Sequence, residues 1–347
     1  MPAWLAPAYS AAQLARVLAA GRKVLLIHSH IGALTGNALG LALAAQASPD
    51  FLPVALFKRR WPRPFGIPAW RRDSPFVPLL LKRADVLAYT GSWPPEFTAA
   101  SPRSLRLFLW HGMPIKAIGK FDPLAAYRGG EPIDLAIATS ERTAEMMSQS
   151  YDIAPGKFLI SGEPKTDEMP TDRPGWDWSA SLKAQHRTVI GYFPTWREKI
   201  LPIKGRLRRR GDDAVVRQLV TQLTGDEALR HLLERHRAAF VIRVHPVHAG
   251  TAPPLPPFFF MRGDQGDATH LLQECDLVVG DYSSVVIDAL LFDRPLALWC
   301  EDFEHYATQR PMPYFDFRDT FGWAFKSTLS ELRDWLGARL ASQPLSA

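Results

Sequence analysis

Leu277-Val-Val-Gly-Asp-Tyr-Ser-Ser-Val-Val-Ile-Asp288 reads as a single structural unit. Its first four residues are apolar without alternation and end at Gly280, the pattern of a strand buried on both faces. Asp281, Tyr282, Ser283 and Ser284 make a short polar turn, and a helical pattern begins at Ser284. A strand that passes so quickly into a helix is half of a βαβ crossover and implies a parallel sheet. Two hydroxyls and free backbone N–H groups at a helix N-terminus can also seat an anion, helped by a partial charge of about +0.5. Ordinary N-capping, with no ligand, accounts for one of the two serines equally well.

The same alternation extends in both directions along the chain. Apolar runs at 24–27, 53–57, 85–89, 105–110, 135–139 and 158–161 form one series of candidate strands. A second series lies at 189–193, 240–244, 258–261, 277–280 and 296–299. Helical patterns fall between them at 34–45, 141–150, 215–223, 269–274 and 284–291. A last helix opens on the capping box Thr328-Leu-Ser-Glu331 and runs to about residue 340. Residues 170–187, rich in Pro, Trp, Ser and charge, separate the two series. The expected fold is α/β, with two doubly wound domains facing a central cleft at the carboxyl ends of their sheets, where such folds bind ligands.

With 347 residues, 47% of them hydrophobic, the chain can bury two cores. At 22% charged and 11% aromatic it is not a disordered composition. The excess of 41 Lys and Arg over 35 Asp and Glu suits an anionic partner, or serves only solubility. The two cysteines, Cys275 and Cys300, sit in apolar runs with no zinc spacing and no disulfide framework, as in a reduced cytosolic protein. Gln13 and Arg16 interrupt the N-terminal apolar stretch, so no signal peptide is expected. No apolar run approaches the ~20 residues of a spanning helix, which leaves only peripheral membrane contact.

Four further segments could carry chemistry. In Leu109-Trp-His-Gly-Met-Pro114, His111 follows an apolar strand, Gly112 permits a tight turn and Pro114 suits a helix start. A histidine held there can accept a proton from an attacking hydroxyl near neutral pH, although a buried histidine bonded to backbone would look the same. In Val241-Ile-Arg-Val-His-Pro-Val-His248, alternation puts Arg243 and His245 on one face. A planar guanidinium beside an imidazole suits phosphate oxygens. His245 and His248 have no third ligand or carboxylate cluster with them, so no metal is expected. Thr195 and Arg197, in Gly191-Tyr-Phe-Pro-Thr-Trp-Arg-Glu198, and Ser161-Gly-Glu-Pro-Lys-Thr-Asp167 complete the set.

Taken in order, these segments resemble the CDP-glycerol glycerophosphotransferase family, the primases and polymerases of teichoic-acid-type polymers. The matching elements are Trp110-His-Gly-x-Pro114, Thr139-Ser-Glu141, Gly162-x-Pro-x-x-Asp167, Pro194-Thr-Trp-Arg197, Arg243-x-His-Pro246 and Asp281-Tyr-Ser-Ser284. Asp288 and Glu301-Asp-Phe-Glu-His-Tyr306 fit as well, and the likeness covers roughly residues 100–320. It implies a GT-B architecture: residues 1–170 as a Rossmann-like domain on the acceptor and membrane side, 171–187 as linker, 188–327 as a Rossmann-like donor-nucleotide domain, and 328–347 as terminal helix and tail. The implied reaction is attack of an acceptor hydroxyl on the β-phosphate of a CDP-activated polyol, with release of CMP and no metal or other cofactor. His111 would be the base and His245 with Arg243 would steady the phosphate. Ser283, Ser284, Asp281, Thr195, Arg197 and Asp288 would hold the donor, with Gly112 and Asp167 nearby. The family commonly has Thr where this chain has Met113, and Arg-Asn where it has Lys165-Thr166.

The implied partners are CDP-glycerol or a related CDP-polyol and a lipid-linked acceptor, in teichoic acid or capsule synthesis, at the inner face of the cell membrane. Residues 57–72 interleave six basic residues with four aromatics, and 204–210 form a second basic run. Both fit contact with an anionic membrane surface, and 57–72 also fits a loop whose aromatics are core. No nucleic-acid-binding module accompanies them. Two rival functions remain open from sequence: a GT-B glycosyltransferase using a UDP- or GDP-sugar, and a non-catalytic membrane-associated nucleotide-binding protein.

Overall fold

The computed structural model describes residues 11–30, 34–57, 64–122, 124, 127, 129–167, 182–195, 197–203, 206–211, 213–243, 255–262 and 268–342. The chain divides into two compact units: Met1–Met113 with Tyr127–Thr171, and Pro114–Ala126 with Asp172–Ala347.

The first unit is built on seven parallel strands: β1 (Lys23–His28), β2 (Phe51–Phe57), β3 (Ala69–Arg71), β4 (Val86–Tyr89), β5 (Leu105–Phe108), β6 (Leu135–Ala138) and β7 (Phe158–Ile160). Their order across the sheet is β3-β2-β1-β4-β5-β6-β7. It reverses between β1 and β4, where Leu25 pairs with Val86 and His28 with Tyr89. β1 is Lys-Val-Leu-Leu-Ile-His with five of its six residues buried, as expected of a strand covered on both faces. The helix Gly36–Ala47 packs its alanines and leucines over one face, with Leu25, Ile27, Ala38, Leu39 and Ala42 in one cluster. The helix Glu141–Tyr151 starts where the Ser140 hydroxyl accepts a hydrogen bond from the Thr143 N–H and ends at Asp152 in the left-handed region. The motif Thr139-Ser-Glu141 is therefore a helix start.

The second unit repeats the topology. β8 (Thr188–Tyr192), β11 (Ala238–Arg243), β12 (Phe259–Arg262), β13 (Leu277–Gly280), β14 (Leu296–Trp299) and β15 (Phe325–Lys326) form a parallel sheet in the order β12-β11-β8-β13-β14-β15. The reversal lies between β8 and β13. Two apolar clusters cover its faces, one centred on Tyr192, Phe240 and Leu336, the other on Val241, Tyr282 and Val286. The turn quoted at the outset is tight because Gly280 has no side chain. A Cβ there would lie 2.3 Å from Val286 Cγ1. Thr328 Oγ1 accepts from the Glu331 N–H at 3.2 Å, and the helix Leu329–Ser342 follows.

Several expectations change. Residues 114–126, read as part of the first domain, belong to the second unit. Ile115 joins its core, the Ala117 N–H donates to Pro311 O at 2.8 Å, and Asp122 faces Arg310 at 3.6 Å. Residues 171–181 of the supposed linker lie outside the described residues, while Leu182 is buried in the second core. Among the strands, β3, β15 and the antiparallel pair β9 (Glu198–Ile203) and β10 (Arg206–Gly211) are absent from the sequence reading.

The aromatic-basic stretch 57–72 is described in part. Residues 58–63 lie outside the described residues, but Phe57 and Trp70 are core side chains. Arg71 pairs with Asp73 and Arg72 with Glu96. Phe57 and Trp70 thus fit the packed-loop alternative. Of 204–210, residues 206–210 are strand β10. Among the described residues no helix is long and apolar enough to cross a membrane.

Candidate functional site

The carboxyl end of the first sheet, at its point of reversal, brings together His28 and His30 from β1, Thr90 from β4 and His111 from β5. His111 is exposed, not the buried residue the sequence left possible. Its Nδ1 lies 2.7 Å from the Thr90 carbonyl oxygen. A carbonyl can only accept, so Nδ1 carries the proton and Nε2 of the neutral ring carries the lone pair. That is the tautomer a general base requires. Trp110 packs against the imidazole, with ring centroids 4.0 Å apart, and its backbone is left-handed at φ 52°. A bulky residue in that region costs roughly 1–2 kcal/mol. Contacts of its indole with Phe108 at 5.7 Å and Tyr151 at 5.2 Å hold it there. Gly112 is buried with φ 149°, a conformation side chains avoid, so the turn after His111 requires glycine.

Behind this turn lies a polar cluster that sequence reasoning missed. Asn37, 1% exposed at the start of the helix Gly36–Ala47, donates to Leu109 O (3.1 Å), Trp110 O (3.4 Å) and Glu163 Oε1 (3.2 Å). It accepts from the Lys165 N–H at 3.3 Å, and Lys165 Nζ pairs with Glu163 at 3.1 Å, both side chains buried. The motif Gly162-x-Pro-x-x-Asp167 therefore supports the His111 loop from within. Lys165, one of the departures from the family pattern, is an internal ion-pair member. Asp167 is exposed at the end of this segment.

The corresponding end of the second sheet is organised in the opposite way. Asp281, fully buried, accepts from the Thr195 N–H (2.9 Å), the Thr195 hydroxyl, the Tyr282 N–H (2.6 Å) and Arg197 Nη1 (2.8 Å). Arg197 also donates to Asp302 through Nε (2.8 Å) and Nη2 (3.0 Å) and to Thr195 O (2.7 Å). Its guanidinium lies 4.9 Å from the Tyr282 ring and 5.0 Å from the Tyr306 ring. Burial opposes the Arg197 charge, but Asp281 and Asp302 outweigh it and hold the guanidinium protonated. Burial likewise opposes the Asp302 carboxylate, and the Arg197 hydrogen bonds hold it below its ordinary range.

The residues expected to hold the donor are placed as follows. Thr195, Arg197 and Asp281 satisfy one another and build the turn; Asp288 is 2% exposed within the helix Val285–Leu291. Ser283 and Ser284 are half-exposed. The Ser283 hydroxyl accepts from the Val285 N–H at 3.4 Å, and Ser284 makes no side-chain cap. Arg243 ends β11 half-buried, and His245 lies outside the described residues. Among the described residues no group of three His, Cys, Asp or Glu is placed to hold a metal ion. Asp302 and Tyr306 show what the segment Glu301-Asp-Phe-Glu-His-Tyr306 does: it closes the network around Arg197.

Known proteins resemble this chain in sequence and in fold. A teichoic acid glycerol-phosphate transferase of Staphylococcus aureus is 24% identical over 245 residues, covering 65% of this chain and 59% of the relative. A teichoic acid glycerol-phosphate primase of Bacillus spizizenii is 28% identical over 189 residues, covering 51% of this chain and 43% of the relative. The chain thus spans about half the length of these relatives. Among solved structures, the wall teichoic acid polymerase TagF superposes with a TM-score of 0.71 at 17% identity, covering 91% of this chain and 79% of that one. The UDP-GlcNAc 2-epimerase of Methanocaldococcus jannaschii follows at 0.52 and 11% identity, covering 94% and 93%. The fold class is GT-B-like, with two Rossmann-like units. Residues 44–339 match the model of the family described as CDP-Glycerol:Poly(glycerophosphate) glycerophosphotransferase, and the chain belongs to that family.

Proposed function

We propose that this chain is a transferase that moves glycerol phosphate, or a similar polyol phosphate, from a CDP-activated donor to a hydroxyl of a membrane-associated acceptor. CMP is released, and the product belongs to a teichoic-acid-type polymer. Family membership and the likeness to TagF, of which one structure was soaked with CDPG, support the donor. The single observation that carries the mechanism is the His111 ring, exposed, with its Nδ1–H donated to the Thr90 carbonyl.

In the proposed step the acceptor oxygen forms a bond to the donor β-phosphorus, and its proton passes to His111 Nε2. The bond from that phosphorus to the bridging oxygen breaks, and CMP leaves with the electron pair. Such a transition state needs placement and charge neutralisation more than covalent help. Arg243 and His245 are the residues proposed to meet the phosphate charge, and Ser283 and Ser284 are proposed to hold the donor pyrophosphate. The enzyme would work at the inner membrane face.

The test is incubation of purified protein with CDP-glycerol and membranes carrying a lipid-linked acceptor, with CMP followed by chromatography. CMP release that requires the acceptor supports the proposal. Release of UDP or GDP from sugar nucleotides, with CDP-glycerol inert, would overturn it in favour of a glycosyltransferase. Binding of CDP-glycerol without turnover would indicate a non-catalytic protein.

A further inference from the structure

His111 is not the only imidazole at the end of the first sheet. His30 lies two residues beyond the end of β1, stacked on His111 with ring centroids 4.2 Å apart and planes 29° from parallel. His111 is therefore in ring contact with both Trp110 and His30. Both histidines are fastened to the same residue. The Thr90 carbonyl takes the His111 Nδ1–H, while the Thr90 hydroxyl accepts from the His30 N–H at 3.0 Å and lies 3.0 Å from His30 Nδ1. Room for this is made by Gly91, where a Cβ would stand 2.6 Å from His30 Cβ.

We infer that His30 is a positioning residue for the transfer: it holds the plane of the His111 ring. This rests on the reading of His111 as the base. A hydrogen bond to one ring nitrogen fixes a point on the ring, and flat groups packed on the ring restrict its swing about that bond. Trp110 supplies one such group by its neighbourhood in sequence. The other comes from a separate strand end, and the β1–β4 pairing delivers His30 there. Thr90 is then the common anchor, through its backbone for one ring and its side chain for the other.

The experiment compares His30→Ala, His30→Phe, Thr90→Val and Thr90→Ser with wild type and His111→Asn, using CDP-glycerol and acceptor-bearing membranes. His30→Ala should lower kcat by about tenfold to a hundredfold with little change in donor KM, since it misplaces the base and leaves donor binding intact. His30→Phe, which keeps a flat ring, should recover most of that loss. Thr90→Val removes the hydroxyl but keeps the carbonyl, so it should weaken kcat in the same way, and Thr90→Ser should restore it. In histidine-labelled protein, the His111 Nδ1–H resonance should be sharp in wild type and broadened in His30→Ala. Wild-type kcat in His30→Ala with an inactive His111→Asn overturns this inference and leaves the base assignment standing. An active His111→Asn overturns both. A deficit in His30→Ala that is undiminished in His30→Phe marks a general loss of structure and overturns the inference.

Discussion

Two sheets of one topology end in opposite ways. At the point of reversal of the first sheet, His30 and His111 present their rings to solvent, clamped by Thr90 and Trp110. At the same point of the second sheet, Asp281, Arg197 and Thr195 are buried and committed to one another. Both ends consist of polar residues drawn from short motifs, so polarity at a strand end does not by itself mark chemistry. What separates the two is exposure: His111 is exposed with its Nδ1–H donated to a backbone carbonyl, whereas Asp281 and Arg197 are buried and bonded to each other.

The difference can be broken most directly at His111. His111→Asn should lower transfer by about a hundredfold to ten-thousandfold, as loss of a general base does, with the thermal midpoint unchanged. CMP release and a melt, made on the same preparation, check both halves. A variant that unfolds would place His111 among the structural residues instead.

The second cluster predicts the reverse pattern. Arg197→Met leaves Asp281 and Asp302 buried without their cation and should cost about 3–5 kcal/mol of stability in urea titration. A stable Arg197→Met protein with weakened CDP-glycerol affinity would return Arg197 to donor binding. Acid should act on the same pair. Asp302 is held below its ordinary 3.8. The stability this contributes is therefore complete above that value and is lost as pH falls through the folded pKa.

A third contrast lies beneath the first site. His28, the last residue of β1, is 6% exposed, and neither ring nitrogen has a hydrogen-bond partner among the described residues. Burial first, then the Arg72 charge, lowers its pKa from 6.5 to about 4, against the opposing pull of Glu96. The unfolded chain takes up this proton more readily, so stability should fall by about 3 kcal/mol as pH drops from 6.5 toward 4. His28→Leu should flatten that slope in denaturation measured across the range. A slope unchanged by the substitution would mean that another group titrates there.

The smallest effect concerns the support of the His111 loop. Asn37→Leu removes the donors to Leu109 O and Trp110 O and should cost about 1–3 kcal/mol, with some loss of kcat. An unaffected kcat would show that Trp110 packing alone holds the turn.

Most of the two sheets is legible in the residues because parallel strands covered on both faces are apolar runs, and runs such as 277–280 and 296–299 begin and end where the strands do. β3 and β15 escape because three and two residues carry no pattern, and β9 and β10 because their charged residues read as surface. His111 is legible as a histidine between an apolar strand and a glycine turn. His30, Asn37 and Glu163 are not, since their partners stand 60 to 128 residues away.

By itself, then, the order of residues determined the strands, the turns and the segments at which chemistry could occur, because those depend on neighbours in the chain. Tertiary structure alone decided which of the residues in those segments point outward and which satisfy one another. A turn has no periodicity from which to read a face, so a side chain's fate there depends on what the sheet brings beside it. Thr90 beside His111 gives an exposed, anchored imidazole, and Asp302 beside Arg197 gives a closed ion network.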